Sequence, residues 1–209
     1  MESPKFEKTP AIRERSTEEI QDAQIGLLEW ELEEREERYG MDHLTGARKR
    51  EVLIQELDQS LQMIRGGIQE HREGVEPLKV ASLIFIDLDK FKQVNDTKGH
   101  LVGDGVLKKV TGLLKGALRE EDLLVRYGGD EFVVFLSHTD EKGAMIAAEK
   151  LRVALDNDSE LKGFGVTASL GVCSVDASTA TDSETFIKHA DEAAYVAKRA
   201  GGNRVEVYT

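Results

Sequence analysis

Cysteine is nearly missing from this 209-residue chain, with Cys173 as its single copy. A lone thiol excludes an intramolecular disulfide framework, and a reducing cytoplasm is the expected setting. Proline occurs three times, twice within the first ten residues. No apolar run approaches the ~20 residues that cross a bilayer; the longest, around VASLIFI, is far shorter. The opening MESPKFEKTPAIRERS lacks the apolar core of a secretory signal. Positive charge is in deficit, 28 Lys and Arg against 40 Asp and Glu, for a net charge of −12. That balance argues against broad binding to nucleic acid or an anionic membrane. The five histidines show no metal-ligand spacing, which argues against zinc. No Walker A pattern exists and no G-x-G-x-x-G follows a strand, so the usual phosphate cradles are absent. Phosphate binding would need a local cationic pocket or metal ions.

What is present reads as one α/β (α+β) domain with a leader. Residues 1–15 are polar and predict a flexible tail. STEEIQDAQIGLLEWELEEREERYG then predicts a helix over 16–40, capped by Ser16 and Glu19 and stopped at Gly40. Ile25, Leu28, Leu32, Arg35 and Tyr39 recur at coiled-coil spacing, beside a second row of Ile20, Ala23, Leu27 and Trp30. About 24 residues would make a stalk about 36 Å long; packing on the chain's own domain and dimerisation are both open. From 41 onward, Leu53, Leu57, Leu61 and Ile64 predict an amphipathic helix, and LKVASLIFIDLD a buried central strand ending at Asp87–Asp89. Helices are expected through KFKQVND, VLKKVTGLLKGAL, EKGAMIAAEKLRVAL (Ala144, Ala147, Leu151 and Leu155 inward) and SETFIKHADEAAYVAKRAGG. Strands are expected in LLVR, EFVVFL, GVTASLGVCSV and NRVEVY. The expectation is a mixed sheet of about five strands covered by helices, with one antiparallel hairpin.

The acids stand at strand ends, where ligand sites of such sheets form. Asp87 and Asp89 end the central strand; Asp130 and Glu131 sit at the bend of LLVRYGGDEFVVFL. An isolated Asp at a strand end is also an ordinary solvated cap, and Gly with Asp is ordinary turn chemistry. If hairpin and central strand are neighbours, however, three or four carboxylates converge at one sheet edge. Like charges brought together this way need counter-ions. Oxygen ligands suit Mg²⁺ or Mn²⁺, and two such ions can clamp the attacking and leaving oxygens of a phosphoryl transfer. A calcium loop is excluded in DLDKFKQVNDTK, because Phe91, Lys92 and Lys98 occupy positions that an EF-hand reserves for a ligand, glycine and glutamate. Lys92, Arg126 and Lys198 are candidate phosphate contacts.

RYGGDEF at 126–132 resembles the signature of the GGDEF family of diguanylate cyclases. DHLTGARKR from Asp42, DLDKFKQVNDTKGHLVGD over 87–104, SLGV over 169–172 and ADEAAYVAKRAGGNRV over 190–205 resemble the family's other motifs, in order, across 41–209. The resemblance implies a nucleotidyl-cyclase, polymerase-palm-like fold and condensation of two GTP into cyclic di-GMP with release of two pyrophosphates. It implies Asp87, Asp130 and the Leu88 backbone carbonyl as ligands of two Mg²⁺ (or Mn²⁺) ions, with Glu131 beside the 3′-hydroxyl and these acids catalytic. It implies Asn95 and Asp104 as readers of guanine, with Phe91, Lys92, Gly128, Gly129 and Lys198 around the GTP. Arg119-x-x-Asp122, five residues ahead of Gly128, resembles the family's inhibitory site for cyclic di-GMP, and Arg126 is grouped with it. A guanidinium fork suits phosphate and the guanine edge, and a carboxylate accepts from guanine N–H groups. Because each domain would bind one GTP, a homodimer is implied, with product inhibition; no nucleic-acid partner and no membrane insertion are expected. The alternative is a non-catalytic module binding cyclic di-GMP or GTP. One departure is Gly202, where the family commonly carries Arg or Lys; a lost phosphate contact there predicts weaker GTP binding, unless Arg199 or Arg204 stands in.

Overall fold

The computed structural model describes residues 40–66 and 77–209. The expected tail and stalk fall outside the described residues. Gly40–Thr209 forms one compact unit. Its elements run β1 (Arg48–Lys49), α1 (Arg50–Ile64), β2 (Val80–Asp89), α2 (Phe91–Lys98), α3 (His100–Ala117), β3 (Leu123–Arg126), β4 (Glu131–Ser137), α4 (Glu141–Asn157), α5 (Ser159–Phe164), β5 (Thr167–Asp176), α6 (Ser183–Arg199) and β6 (Arg204–Val207).

Six strands form one sheet in the order β1-β3-β4-β2-β5-β6. The two outer pairs are parallel; the inner β3–β4, β4–β2 and β2–β5 pairs are antiparallel. The sixth strand is β1, whose Arg-Lys pair carries no strand pattern and is extended because it pairs with Val125 and Arg126. The hairpin is thus at the centre of the sheet beside β2, and the acids meet at the ends of central strands instead of at a sheet edge.

β2 reads as an unbroken apolar run because both of its faces are covered. Side chains alternate across a strand. Ile84, Ile86 and Leu88 therefore join a core with Phe132, Val134 and residues of α2 to α5. Leu83 and Phe85 face the opposite way, with Val133 and Phe135, against the leucines of α1 and against Phe186, Ala190 and Ala194 of α6. Leu53 and Leu57 are fully buried there, each worth about 1.5–3 kcal/mol relative to exposure. In α4 the buried stripe is Ala144, Ala148, Leu151 and Leu155, one residue displaced from expectation at Ala147.

Local signals mark the helix starts. Asp140 and Asp182 accept hydrogen bonds from Gly143 N (2.8 Å) and Thr185 N (2.8 Å) at the first turns of α4 and α6. Asp158 does the same for the short α5, which has too few residues for a visible period. Gly171, in the middle of β5, faces α6 at its closest approach: a Cβ there would run into the Ala190 carbonyl and the Ala194 amide. That contact seats α6, and with it Lys198, against the sheet.

Candidate active site

The odd-numbered residues of β2 face α6, so Asp87 follows Phe85 onto that side. Its register partner on β4 is Glu131, which shares the face with Val133 and Phe135. Like charges directly opposite on one sheet face are destabilising, and here nothing local to the hairpin compensates them. Burial raises the pKa of Asp87 above the ordinary carboxylate value despite the nearby Lys198 ammonium, and the charges of Asp130 and Asp89 add to it. Glu131 is raised by burial and then by the charges of Asp87, Asp130 and Asp191. Lys198, in the last turn of α6, donates to both Asp87 oxygens at 2.7 Å. Burial works against the charged form of Lys198, but the Asp87 bond and the surrounding acids raise its pKa overall.

Turn geometry alone does not require the two glycines, since neither Gly128 nor Gly129 has a positive φ. A Cβ on Gly128 would run into the Glu131 carboxylate, whereas Gly129 meets nothing within 4 Å. The first glycine lets Glu131 fold back under the turn; the second leaves the surface open. The turn is tied to the central strand by Leu88 N, which donates to the Asp130 carbonyl at 3.3 Å.

Beside the turn lies a cavity of about 390 Å³ lined by Phe91, Lys92, Asn95, His100, Asp104, Leu107, Arg126, Gly129 and Asp130. α2 and α3 supply most of it, and Gly103 lets them approach closely, since a Cβ there would meet the Asn95 side chain. Among the described residues, Asn95 Oδ1 is buried without a hydrogen-bond partner, an arrangement that costs about 1–3 kcal/mol. His100 is a wall residue that its lack of ligand spacing had left without a role.

Asp89 differs from the expectation of clustered acids. It is 7% exposed and accepts from Thr167 Oγ1 (2.7 Å), Ser169 Oγ (2.7 Å) and Asn203 N (2.9 Å). Those bonds tie β2 to β5 and to the α6–β6 loop, so this carboxylate is committed to the fold. Gly202 belongs to the same knot: it sits at φ +73°, and a Cβ would approach the Asp89 carboxylate at 2.8 Å. The backbone therefore supplies a structural reason for glycine where the family resemblance suggested Arg or Lys. Arg204 donates to the Ala200 carbonyl at 3.3 Å, and Arg199 lies over the Tyr195 ring. Among the described residues, no group of three His, Cys, Asp or Glu side chains is arranged to hold a metal by itself.

A second cavity, of about 440 Å³, is lined by Arg119 and Asp122 together with Arg48, Glu56, Lys115 and residues of β3 and β4. Asp122 accepts from the Arg119 backbone N–H at 2.8 Å, which leaves the Arg119 guanidinium 73% exposed and 3.9 Å from Glu121. Arg126 is not part of this cavity; it lines the other one, with Asn95 and Asp104.

Residues 39–204 match the model of a family described as diguanylate cyclase, GGDEF domain. The chain belongs to the GGDEF family. As a GGDEF domain it is 36% identical over 200 residues to the diguanylate cyclase DgcP of Pseudomonas aeruginosa, covering 94% of this chain and 28% of DgcP. It is 37% identical over 169 residues to the response regulator PleD of Caulobacter vibrioides, covering 78% of this chain and 35% of PleD. The chain thus spans about a third of the length of these relatives. Among solved structures, the coiled coil and GGDEF domain of DgcB from Caulobacter crescentus, in complex with c-di-GMP, superposes with a TM-score of 0.74 at 26% identity, covering 90% of this chain and 95% of that one. Diguanylate cyclase SiaD of Pseudomonas aeruginosa, in complex with its activator SiaC, gives 0.71 at 30% identity, covering 91% and 70%. The GGDEF fold, a mixed six-stranded sheet between helical layers, is the architecture described above.

Proposed function

We propose that this GGDEF domain is a diguanylate cyclase that condenses two GTP into cyclic di-GMP and two pyrophosphates. The observation that carries the reading is the opposed pair Asp87 and Glu131, held on one sheet face at a destabilising cost at the end of the hairpin whose Gly129 and Asp130 line the cavity of Asn95 and Asp104. Lys198 offsets Asp87, and the further negative charge of Glu131 and Asp130 beside it favours an additional cation. The relatives named diguanylate cyclase support the same reading.

Guanine belongs in the 390 Å³ cavity, where the Asp104 carboxylate accepts from its N–H groups and adenine offers no such pattern. Asn95 reads the remaining edge, Phe91 and Leu107 supply apolar walls, and the open Gly129 leaves room for the nucleotide. Lys92 and Lys198 are suited to phosphate oxygens. The Glu131 carboxylate, on the strand face it shares with Asp87, is the candidate group beside the reacting 3′-hydroxyl.

The donor set fits divalent magnesium. Asp87, Asp130 and the Leu88 carbonyl are hard oxygens, a partial set of the kind that Mg²⁺ completes with water and phosphate oxygens. The Lys198 ammonium already rests on both Asp87 oxygens, so the site accepts a cation there. Two bound ions would supply charge neutralisation at the α-phosphate and activation of the attacking oxygen.

Each domain offers one such cavity, so the product requires two domains face to face in a homodimer. A helical stalk over 16–40 would raise the effective concentration of paired domains, and the similarity to the coiled coil and GGDEF domain of DgcB supports that role. The cavity of Arg119 and Asp122 is the candidate site for cyclic di-GMP acting as an inhibitor. The direct test is incubation with GTP and Mg²⁺ and chromatography for cyclic di-GMP, with Asp130→Ala as control. Product from wild type and none from the variant supports the cyclase; nucleotide binding without product from either makes the chain a regulatory module instead.

A further inference from the structure

The 390 Å³ cavity is a groove between two stripes of side chains, Phe91, Lys92 and Asn95 on α2 and His100, Asp104 and Leu107 on α3. The α3 stripe has the i, i+4, i+7 spacing of a single helix face. The imidazole of His100 therefore stands one turn from the Asp104 carboxylate, about 5–6 Å between Cβ atoms. His100 is exposed, and among the described residues its ring has no hydrogen bond or ion pair within the fold. Its backbone is held all the same. Gly99, at φ +85°, turns the chain from α2 into α3, and Val102 N and Gly103 N donate to the Gly99 carbonyl at 3.1 and 3.2 Å. The neighbouring polar wall is occupied: Arg126 donates to both oxygens of Asp42 at 3.1 and 3.3 Å, and to the Gly129 carbonyl at 3.3 and 2.8 Å. His100 is thus a hydrogen-bond donor beside Asp104 that the fold leaves free.

We propose that His100 is a base-reading residue of this site, donating a ring N–H to the O6 and N7 edge of guanine while Asp104 accepts from N1–H and the 2-amino group. The assignment rests on the cavity's being the guanine site. Guanine carries the acceptors O6 and N7 next to its N–H donors. A donor and an acceptor one helical turn apart on a single face are the complement of that edge. Adenine reverses the pattern, with an amino group where guanine has O6 and an acceptor at N1. Asp104 would then face a lone pair, and the His100 N–H would face an amino group. Imidazole keeps at least one N–H in every protonation state, and either ring nitrogen can carry it, so a rotation of the ring suffices to present the donor. Leu107, one turn beyond Asp104, adds apolar wall, and the N3 side of the base is left to Asn95 across the groove.

The test uses the full chain and GMP, which carries the base but no pyrophosphate to lose, so that recognition of the base is measured apart from turnover. GMP is compared with 7-deaza-GMP, which lacks the N7 acceptor, and 6-thio-GMP, in which a weak sulfur acceptor replaces O6. Binding is followed by calorimetry and by NMR of the histidine ring C–H signals. In wild type GMP should shift one ring, the one whose signals His100→Ala removes. His100→Ala should weaken GMP binding by about 3–10-fold, the loss of one hydrogen bond, and His100→Gln, which keeps an N–H, should recover most of it. At least one of the two analogues should bind wild type and His100→Ala within about twofold of each other. With GTP, the loss should fall on KM by the same factor, because the contact is made equally in the ground and transition states. Unchanged GMP affinity in His100→Ala, or an equal loss for GMP and both analogues, overturns the assignment. Should wild type bind no GMP, guanine is not the ligand of this groove and His100 falls with it. GMP binding with the expected pattern but no cyclic di-GMP from GTP overturns the cyclase reading alone and leaves His100 as a reader of guanine.

Discussion

Removing the Asp89 carboxylate should destabilise this domain and leave metal and nucleotide binding in the folded protein undisturbed, although Asp89 lies two residues from Asp87 on the same strand face. The side chain is 7% exposed and accepts three hydrogen bonds of 2.7, 2.7 and 2.9 Å, from Thr167, Ser169 and Asn203. In Asp89→Ala the two hydroxyls can rotate toward other acceptors, but the Asn203 N–H is fixed by the backbone. Bonds to a charged acceptor contribute about 1.5–3 kcal/mol each, and an orphaned buried donor costs about 1–3 kcal/mol. Allowing for the rotation of the hydroxyls, the loss should be about 3–5 kcal/mol. For a unit of this size that lowers Tm by about 6–20 °C. Asp87→Ala should instead leave Tm within about 3 °C and abolish turnover, because Asp87 is more exposed and its charge is opposed by Glu131. Thermal melts followed by circular dichroism, with GTP turnover measured well below the melt, separate the two. If Asp89→Ala keeps the wild-type Tm but loses turnover, Asp89 is a site ligand and the packing account is wrong.

Gly171→Ala places a methyl against the α6 backbone and should cost about 1–3 kcal/mol, with GTP affinity falling as Lys198 is carried away from Asp87; a wild-type melt would refute it. Gly202→Arg should lower Tm by several degrees, since φ is +73° and Asp89 blocks the Cβ; an unchanged melt with a lower KM for GTP would restore the lost-contact explanation. Glu131→Gln should be more stable than wild type at pH 8. The raised pKa means that the folded state holds the proton more tightly than the unfolded chain. The ionised carboxylate thus weakens the fold above that pKa, and the difference between the proteins should vanish as pH falls below the ordinary value of 4.5. A pH-independent difference in Tm would refute the assignment. Arg119→Ala should relieve inhibition by added cyclic di-GMP without changing the initial rate; inhibition as strong as in wild type would remove Arg119 from that site.

Much of the architecture was legible because it is written in local periodicity. The run VASLIFI could only be a strand covered on both faces, and Leu53, Leu57, Leu61 and Ile64 could only be one side of a helix. The caps at Asp140 and Asp182 obey the same local logic but entered only with the structure. The signature acids were also legible, since two glycines and two acids interrupt an otherwise apolar hairpin. What the chain's own order could not display is which of two acids on one strand face a ligand. Asp87 and Asp89 are equivalent by period, and only the strand pairing separates them: Glu131 stands across from Asp87, whereas the hydroxyls of β5 and the Asn203 amide converge on Asp89. The same holds for Arg126, which alternation leaves free to serve either cavity until Asp42 arrives from 84 residues away. It holds for Gly202, in the α6–β6 loop, whose reason is the Asp89 carboxylate on β2. Local sequence determines the elements and the chemistry they carry, because helical and strand periods are short-range. Only the tertiary structure decides which carboxylate is left over for function, because satisfying a buried charge depends on groups far away in the chain.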